Sequence, residues 1–251
     1  MLRVSGLATR AGGRVLHRNI DLELHRREVL GVVGASGTGK SVLLKTIVGL
    51  MPIESGTIEI LGRDIGRMSE AEFARMEDRW GVMFQDGALF SSLTVAENIA
   101  VPIKERVAMP KTLLEEICAL KIALVGLPAD SGRKFPAALS GGMRKRAGLA
   151  RAIALDPPLV FLDEPTAGLD PIAANEFDRL VLALKESLGL TVFLVTHDLD
   201  SLVAIADRIA VLVDGSIRIG TMEEMLNDPH PWIHAYFRGP RGRAALRAAD
   251  R

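Results

Sequence analysis

The sequence predicts an α/β protein with a mostly parallel sheet, an antiparallel β subdomain and a helical subdomain. Three patterns lead to this prediction. Residues 29–33 are continuously apolar, which is typical of a strand buried on both faces. Residues 20–24 alternate between apolar and polar side chains, as in a half-buried strand. In the middle of the chain, apolar residues recur at three- and four-residue spacing, as in amphipathic helices.

Each region of the chain supports one part of this architecture. Residues 58–60 form a second alternating segment, which Gly62 ends. A helical stripe is predicted through Leu113, Ile117, Leu120 and Leu124, with Gly126 at its C-terminal cap. A second helix is predicted from about residue 143 to residue 154, before two prolines.

The C-terminal third returns to short apolar segments. Residues 159–162 and 192–195 are separated by a segment with helical spacing, the βαβ arrangement of a parallel sheet. Residues 209–213 and 217–219 flank Asp214-Gly215, which predicts a hairpin. One sheet-centred core with a helical insertion at about residues 86–156 is the simplest interpretation.

The composition limits the classes of function that this protein can have. The chain has 251 residues, 48% hydrophobic and 25% charged, an ordinary balance for a globular protein. Lys plus Arg and Asp plus Glu number 31 each. The chain therefore lacks the excess of basic residues that would predict binding to nucleic acid. The single cysteine, Cys118, excludes an intramolecular disulfide and favours a reducing compartment. We expect Cys118 to be a small buried residue of the predicted helix rather than a reactive thiol.

The sequence suggests no targeting or membrane segment. Residues 1–6 contain no apolar signal core, and no stretch approaches the roughly 18 uninterrupted apolar residues of a membrane span. We therefore expect a cytoplasmic protein, and any action on a membrane would require another chain that spans it.

Residues 34–41 carry the clearest chemical motif. They match the pattern G-x-x-x-x-G-K-[ST], directly after the buried strand and before a helical segment. Glycines allow successive backbone N–H groups to turn towards phosphates, and the N-terminus of the following helix favours the same anion. We expect Lys40 to reach the β- and γ-phosphates and the Ser41 hydroxyl to bind Mg²⁺. The expected phosphate-binding residues are Gly34, Ala35, Ser36, Gly37, Thr38, Gly39, Lys40 and Ser41.

Two carboxylates, Asp163 and Glu164, follow the apolar segment 159–162. Successive strand residues point to opposite sides, so these acids need not share one role. Asp163 suits the outer coordination shell of Mg²⁺, and Glu164 suits the position that polarises an attacking water. An Asp-Glu pair at a strand end is often merely solvated, and it is the phosphate motif that favours a catalytic role here.

His197 comes two residues after the apolar segment 192–195. A lone histidine is often structural, but ligands in open α/β sheets bind beyond the carboxyl ends of the strands. If the sheet is parallel, Gly34, Asp163 and His197 converge on one edge. His197 would then contact the γ-phosphate and hold the geometry of the water.

The segment Ser140-Gly141-Gly142 precedes the second predicted helix. Ser140 is a favourable N-cap, and the two glycines expose backbone donors at a helix N-terminus, which suits a second anion site. Taken alone, a Ser-Gly-Gly turn is common and carries no functional meaning.

Together, these motifs resemble those of ABC-type ATPases, which have a P-loop NTPase core. In that family's terms, residues 34–41 resemble the Walker A motif, Gln85 the Q-loop and residues 139–143 the signature. Asp163-Glu164 resemble Walker B, residues 167–170 the D-loop and His197 the switch histidine. The resemblance covers roughly residues 1–235, the nucleotide-binding domain, and leaves residues 236–251 as a C-terminal extension.

The resemblance implies a reaction and a dimer. It implies that Lys40, Gln85, Glu164 and His197 take part in ATP hydrolysis, and that Ser41, Gln85 and Asp163 hold Mg²⁺. It also implies a head-to-tail homodimer, in which Ser140, Gly141 and Gly142 of one copy close over the ATP bound at Lys40 of the other.

Within this family, residues 84–99 are similar to the Mla-type (maintenance of lipid asymmetry) phospholipid-transport ATPases, as are residues 39–45 and 143–147. That similarity implies phospholipid transport, a peripheral location on the cytoplasmic face of the inner membrane, and an integral membrane permease. It also implies an MCE-domain lipid-binding protein and a small STAS-like subunit as further partners. Leu89, Phe90 and Leu93 either form an apolar socket for a permease helix or pack the helical subdomain.

Two features depart from the family pattern or extend beyond it. ABC ATPases usually stack adenine on an aromatic residue of the first β-turn, and residues 7–16 contain none. Arg10 or Arg14 would offer a guanidinium plane instead, or would simply be solvated. Near the C-terminus, Trp232, Tyr236 and Phe237 are predicted to share a buried helical face.

Three alternatives remain open from the sequence. The first is an ABC ATPase for another solute, such as an amino acid or a metal chelate. The second is a non-transport ABC protein acting on DNA or ribosomes, although those usually carry two cassettes or coiled-coil insertions. The third is a small-molecule P-loop kinase, which would not explain residues 139–143 together with His197.

Overall fold

The computed structural model describes residues 1–239, apart from the side chain of Asp86. The described residues form two compact units: residues 1–77 and 191–239 make the first, and residues 78–190 make the second. Each unit contains both strands and helices, in agreement with the predicted α/β class.

The first unit begins with an antiparallel sheet of four strands in the order β2-β1-β4-β5. These strands are β1 (Leu2–Ala11), β2 (Arg14–Leu24), β4 (Ser55–Ile60) and β5 (Arg63–Asp64). Ile20, Leu22 and Leu24 of β2 are buried, as their alternation predicted. Gly12 and Gly13 have φ values of 57° and 77°, and this two-residue turn joins β1 to β2.

A second set of strands in this unit has the order β10-β9-β3-β8. Its members are β3 (Val29–Gly34), β8 (Thr191–Val195), β9 (Arg208–Val213) and β10 (Ser216–Gly220). Strand β3 pairs in parallel with both β8 and β9, and all of its residues are buried. The predicted hairpin joins β9 to β10 through Asp214 and Gly215, which have φ values of 51° and 74°.

The described part of the first unit also contains five α-helices: α1 (Lys40–Ile47), α2 (Glu70–Met76), α7 (Leu199–Ile205), α8 (Met222–Asn227) and α9 (Pro231–Arg238). Helix α9 buries Ile233 and Phe237, whereas Trp232 and Tyr236 are only half-buried. The prediction of a buried face is therefore correct for Phe237. The residue buried beside it is Ile233 and not Trp232, because Ile233 and Phe237 are four positions apart and lie on the same side of the helix.

In the second unit, β6 (Trp80–Met83) pairs in parallel with β7 (Leu159–Asp163). The helices of this unit are α3 (Val95–Arg106), α4 (Lys111–Leu124), α5 (Gly141–Ala152) and α6 (Pro171–Leu188). Gly81 allows close packing of β6 on α5, because a Cβ at this position would lie 1.9 Å from the Ala152 carbonyl oxygen.

The predicted stripe of α4 is wrong, although the helix itself is present. Leu113 and Leu120 are 45% and 57% exposed. The buried face lies one position further along and contains Leu114, Cys118, Lys121 and Ile122. Lys121 is tolerated there because its ammonium pairs with Asp156 at 2.5 Å.

Cys118 is buried, as predicted. Burial raises the pKa of its thiol above the ordinary value, which keeps the side chain protonated and unreactive near neutral pH.

The predicted C-terminal extension, residues 236–251, begins within α9, and residues 240–251 lie outside the described part of the chain. None of the helices within residues 1–239 has the length and apolar character needed to cross a membrane.

The two sides of α4 should respond differently to truncation. We expect Ile122→Ala to lower the free energy of unfolding by about 2–5 kcal/mol, because it leaves a cavity at a buried position. Leu120→Ala, on the exposed side, should change it by less than about 0.5 kcal/mol. Urea unfolding of both variants measures this difference, and equal losses would contradict the assigned face.

Candidate functional site

The predicted phosphate motif forms a tight loop between β3 and α1. Strand β3 ends at Gly34 and α1 begins at Lys40, so the loop occupies residues 35–39. Gly37 and Gly39 have φ values of 80° and 96°, a region that favours glycine. The Thr38 hydroxyl donates to the Ala35 carbonyl at 2.9 Å, which fixes the middle of the loop. The loop shape thus follows from the positions of its glycines.

The N-terminus of α1 suits an anion. Its N-cap, Gly39, has no side chain to accept hydrogen bonds from the first amides, and its first turn contains no acidic residue. Ser36 and Ser41 are exposed, and a Cβ at Gly37 would meet no described atom within 4 Å. Backbone amides and the helix dipole therefore face an accessible surface, where phosphate is favoured.

Lys40 extends back over this loop. Its Nζ donates to the carbonyl oxygens of Gly34 and Ala35, at 2.8 and 3.2 Å. These contacts hold the ammonium beside the loop amides, so that a positive charge and backbone donors lie together. This combination is suited to a polyphosphate.

His197 leaves the sheet at the same edge as the phosphate loop. Strands β3 and β8 are parallel neighbours, with Val32 opposite Val195, and the Thr196 amide donates to the Val32 carbonyl at 3.2 Å. The exposed His197 follows two residues after the end of β8. Within the first unit, the structure therefore brings Gly34 and His197 to one edge.

Arg10, one of the two arginines considered for stacking on adenine, lies near the end of β1. Its guanidinium contacts Glu54 at 3.0–3.2 Å and donates to the Gly13 carbonyl at 3.1 Å. These bonds use the edge of the guanidinium and restrict its orientation. Stacking would use the planar face, so the ion pair and the predicted contact are compatible.

His17 contacts the phosphate loop from the interior, and sequence reasoning missed it. Its ring is fully buried on β2, with Nδ1 2.6 Å from the Thr9 hydroxyl. A Cβ at Gly39 would lie 2.7 Å from His17 Nε2, so the ring occupies the space that a side chain would need. Nε2 makes no hydrogen bond of normal geometry with the described residues.

A β-bulge explains why the pattern did not reveal His17. Leu7 pairs with Ile20 but Thr9 pairs with His17, so β2 contains one extra residue between these pairs. Asn19 in this segment has a φ of 54°. Counting back from Ile20 in steps of two would point His17 outwards, and the extra residue turns it inwards.

In the second unit, Gln85 and Asp163 lie at the same end of two parallel strands. Met83 of β6 is paired with Leu162 of β7. Asp163 is the residue after Leu162, and Gln85 is two residues after Met83. The Asp163 carboxylate is nearly buried, and Gln85 is exposed. The two predicted Mg²⁺ ligands of this unit therefore share one strand edge, and both offer the oxygen atoms that Mg²⁺ prefers.

Glu164 has an unusual backbone conformation, which the sequence did not predict. Its φ is 50°, in the left-handed region that non-glycine residues rarely adopt. The Glu164 carbonyl accepts from the Ala167 amide at 3.2 Å and from Lys145 Nζ at 3.1 Å. Lys145 is only 3% exposed and lies on α5. The helix that follows Ser140-Gly141-Gly142 therefore helps to hold the backbone of Glu164.

Ser140 caps α5, as predicted: its hydroxyl accepts from the Met143 amide at 3.2 Å. The predicted signature and D-loop line one cavity of about 290 Å³. Gly141, Gly142 and Gly168 leave its wall open, and Asp170 caps α6 by accepting from two amides. Gly141 and Gly142 form the first turn of α5, so their amides have no acceptor within the helix and can donate at this cavity.

Among residues 1–239, no cluster of three or more His, Cys, Asp or Glu side chains has the geometry of a metal site. Mg²⁺ is usually held by one or two carboxylates together with substrate phosphates and water. Gln85 and Asp163 in the second unit and Ser41 in the first each offer a hard oxygen donor, which suits the ligand chemistry predicted for Mg²⁺.

Comparison with known proteins gives concordant matches. The profile of the family described as ABC transporter matches residues 17–167, more than half of the chain. The intermembrane phospholipid transport system ATP-binding protein MlaF of Haemophilus influenzae is 38% identical, over 95% of this chain and 90% of its own length. The probable ribonucleotide transport ATP-binding protein mkl of Mycobacterium tuberculosis is 37% identical, over 96% of this chain and 67% of its own length.

Among solved structures, a dimeric ATP-binding cassette in a post-hydrolysis state, bound to ADP and Pi, is similar to this chain. The TM-score is 0.80 and the identity 28%, over 88% of this chain and 98% of that one. This likeness confirms the fold predicted from the sequence.

Burial makes His17 a source of pH dependence. Burial lowers its pKa below the ordinary 6.5, and the nearby Thr38 backbone only partly offsets this effect. As pH falls below 6.5, the unfolded chain therefore takes up a proton that the folded chain does not, and stability is lost. His17→Phe keeps a ring but cannot titrate. We expect the stability of the wild type to fall relative to His17→Phe between pH 7 and pH 5.

Urea unfolding at several pH values measures this difference. The comparison at pH 8 serves as the control, because His17 is neutral in both states there and the difference reflects packing and the Thr9 contact alone. Parallel stability curves for the two proteins from pH 8 to pH 5 would contradict the buried neutral ring.

Proposed function

The chain belongs to the ABC transporter family of ATP-binding proteins, and from this premise we propose that it hydrolyses ATP to power transport as the nucleotide-binding subunit of a transporter. The observation that carries the proposal is the loop at residues 35–39, with its left-handed glycines and the Lys40 ammonium beside the backbone amides. A Gly-rich loop of this kind, at the start of a helix, is suited to the phosphates of a nucleotide.

In the proposed complex, residues Gly34 to Ser41 surround the phosphates. The backbone amides of this loop donate to phosphate oxygens, and Lys40 neutralises the β- and γ-phosphates. Arg10 would stack on the adenine with the guanidinium face that its pair with Glu54 leaves available.

Ser41, Gln85 and Asp163 are proposed to hold Mg²⁺. Bound Mg²⁺ would offset the negative charge of the phosphates. The proposal is supported by the common strand edge of Gln85 and Asp163 and by the exposed position of Ser41 at the start of α1.

Glu164 and His197 are proposed to act on the attacking water. Glu164 would align or deprotonate the water, and His197 would contact the γ-phosphate and keep the geometry in line. Support comes from the two hydrogen bonds that hold the Glu164 carbonyl and from the shared edge of His197 and the phosphate loop.

Two copies of the chain are proposed to enclose the nucleotides. Each copy has one phosphate loop and one Ser140-Gly141-Gly142 turn. The amides beside Ser140 would meet the γ-phosphate held by Lys40 of the second copy. The similar cassette of known structure is dimeric, and the open cavity lined by Ser140 and Gly168 offers a surface for such a contact.

The segment 89–93 is proposed as part of the contact with the permease. Phe90 is 52% exposed. The buried Asn98 side chain accepts from the Phe90 amide and donates to the Phe90 carbonyl, at 2.8 and 3.1 Å. Phe90 therefore suits a contact with a partner, whereas Leu89 and Leu93 are half-buried and also fit internal packing.

Glu164→Gln tests the proposed chemistry. We expect turnover to fall by about 10²–10⁴-fold with ATP binding retained, because the amide cannot accept the proton of the water. Steady-state phosphate release and nucleotide binding provide the measurements. Glu186→Gln, an exposed carboxylate near the end of α6, is the matched control and should hydrolyse normally.

The same variant tests the dimer. Glu164→Gln protein should associate on addition of Mg-ATP, since hydrolysis no longer reopens the interface, and light scattering measures the mass. A variant that stays monomeric in excess Mg-ATP, even with its membrane partner present, would refute the enclosure of ATP between two copies. Near-normal hydrolysis by Glu164→Gln would refute the role of this carboxylate.

We propose a phospholipid of the cell envelope as the cargo, because MlaF relatives from two genera align with more than nine-tenths of this chain. The proposed assembly places this chain at the cytoplasmic face of the inner membrane. It would bind there to an integral permease, with an MCE-domain lipid-binding protein and a small STAS-like subunit as further partners. A transporter of another solute is the alternative, in line with the name of the mycobacterial relative.

The cargo can be tested on the native complex. We expect the tagged chain to purify from detergent-solubilised membranes with a permease and with phospholipid that mass spectrometry detects. An unrelated membrane protein purified in the same detergent measures lipid carry-over. The lipid proposal would be refuted if the amount of phospholipid were no higher than in this control. Binding of an amino acid, ribonucleotide or metal chelate by the complex would then support the alternative.

A further inference from the structure

The side chain of Tyr236 contacts the backbone of the proposed switch residue. Its hydroxyl, on α9, donates to the main-chain carbonyl of His197 at 2.9 Å. The two residues are 39 positions apart in the chain. Tyr236 is the only tyrosine in the sequence. None of the sequence motifs assigned to the candidate site lies on α9.

This hydrogen bond completes the anchoring of the short loop after β8. The Thr196 amide donates to Val32 of β3 at 3.2 Å, and the Thr196 hydroxyl accepts from the Asp198 amide at 3.0 Å. Asp198 in turn caps α7. The residues on both sides of His197 are thus held by β3 and by the cap of α7, and Tyr236 holds the carbonyl of His197 itself.

The phenol is attached to a rigid support. The Trp232 ring stacks on Tyr236 with centroids 4.8 Å apart and an angle of 14° between the planes. The Phe237 ring meets the Tyr236 ring edge to face, with the two centroids 5.0 Å apart. One turn of α9 therefore restricts the Tyr236 ring on two sides.

Helix α9 also packs beneath the strand that leads to the phosphate loop. Phe237 and Ile233 belong to the same buried cluster as Val33, the residue before Gly34. Trp232 and Tyr236 pack against the edge of that cluster. The C-terminal helix thus supports β3 through its buried face and the His197 loop through a hydroxyl.

We propose that Tyr236 is a positioning residue for ATP hydrolysis: its hydroxyl fixes the main chain of His197, so that the imidazole faces the γ-phosphate. This inference rests on the proposed role of His197. In this role, Tyr236 acts through the His197 carbonyl that it binds, not through the phosphates or the water. Loss of the hydroxyl allows the loop to sample other orientations, which lowers the fraction of molecules with a correctly placed imidazole.

Tyr236→Phe tests this role, since it removes one oxygen atom and keeps the stacked ring. We expect kcat to fall by about two- to tenfold, the range that one net hydrogen bond produces. The KM for ATP should stay within twofold, because the phosphate loop keeps its contacts. Unfolding measurements should show little change in stability, because the bond is at the surface.

Arg238→Met is the matched control on the same helix. Arg238 donates to the Leu226 carbonyl at 2.6 Å and to the Asn227 side chain at 2.9 Å, away from His197. This variant removes two surface contacts of α9 and should keep its kcat. If Arg238→Met lowers kcat as much as Tyr236→Phe does, general loosening of α9 is the cause and the positioning role is refuted.

A double variant separates this inference from the proposed function. In a His197→Ala background, Tyr236→Phe should produce no further loss of rate, because there is no imidazole left to position. Multiplicative losses would show that Tyr236 acts independently of His197. If His197→Ala alone hydrolyses ATP normally, the proposed role of His197 fails. If only His197→Ala is slow and Tyr236→Phe is normal, the inference about Tyr236 alone fails.

Discussion

The parallel pairing of β3 with β8 is the constraint on which the candidate site depends. Backbone hydrogen bonds place Val32 opposite Val195, and both strands are buried along their whole length. Because the strands run in the same direction, the groups that follow them emerge at one edge, and these are the phosphate loop and His197. A shift of the register by one residue would turn every side chain of one strand to the other face, so burial on both sides fixes the geometry.

The phosphate loop owes its shape to what lies beneath it as well as to its glycines. The buried ring of His17 leaves no room for a side chain at Gly39, and Gly39 in turn needs the left-handed conformation that begins α1. The neutral ring packs at this position although Nε2 makes no hydrogen bond of normal geometry to the described residues. A buried polar atom of this kind costs free energy, and the same burial makes the folded state resist protonation of the ring.

The two residues proposed to act on the attacking water, Glu164 and His197, are supported through their backbones. The carbonyl of Glu164 accepts from Lys145, a nearly buried residue of the helix that Ser140 caps. The carbonyl of His197 accepts from Tyr236 on the C-terminal helix. In both cases, a main-chain acceptor is held by a side chain distant in sequence. Such support matters because small errors in placement are costly to rates.

By itself, the sequence determined the fold class, the phosphate loop, the cap of α5 and the order of the motifs. These features are local: a glycine pattern, an N-cap serine or a run of apolar residues has the same physical preference in any context. The buried side of α4 was decided only by tertiary structure. Apolar residues on α4 form two overlapping stripes, and packing around Ile122 and the ion pair of Lys121 with Asp156 selected one of them.

The inward turn of His17 and the contact of Tyr236 with His197 were likewise decided only by tertiary structure. The bulge between His17 and Ile20 reverses the alternation there, and the contact between α9 and the loop after β8 joins residues 39 positions apart. The physical reason is the same in both cases, because each depends on how separate segments meet, which no local propensity specifies.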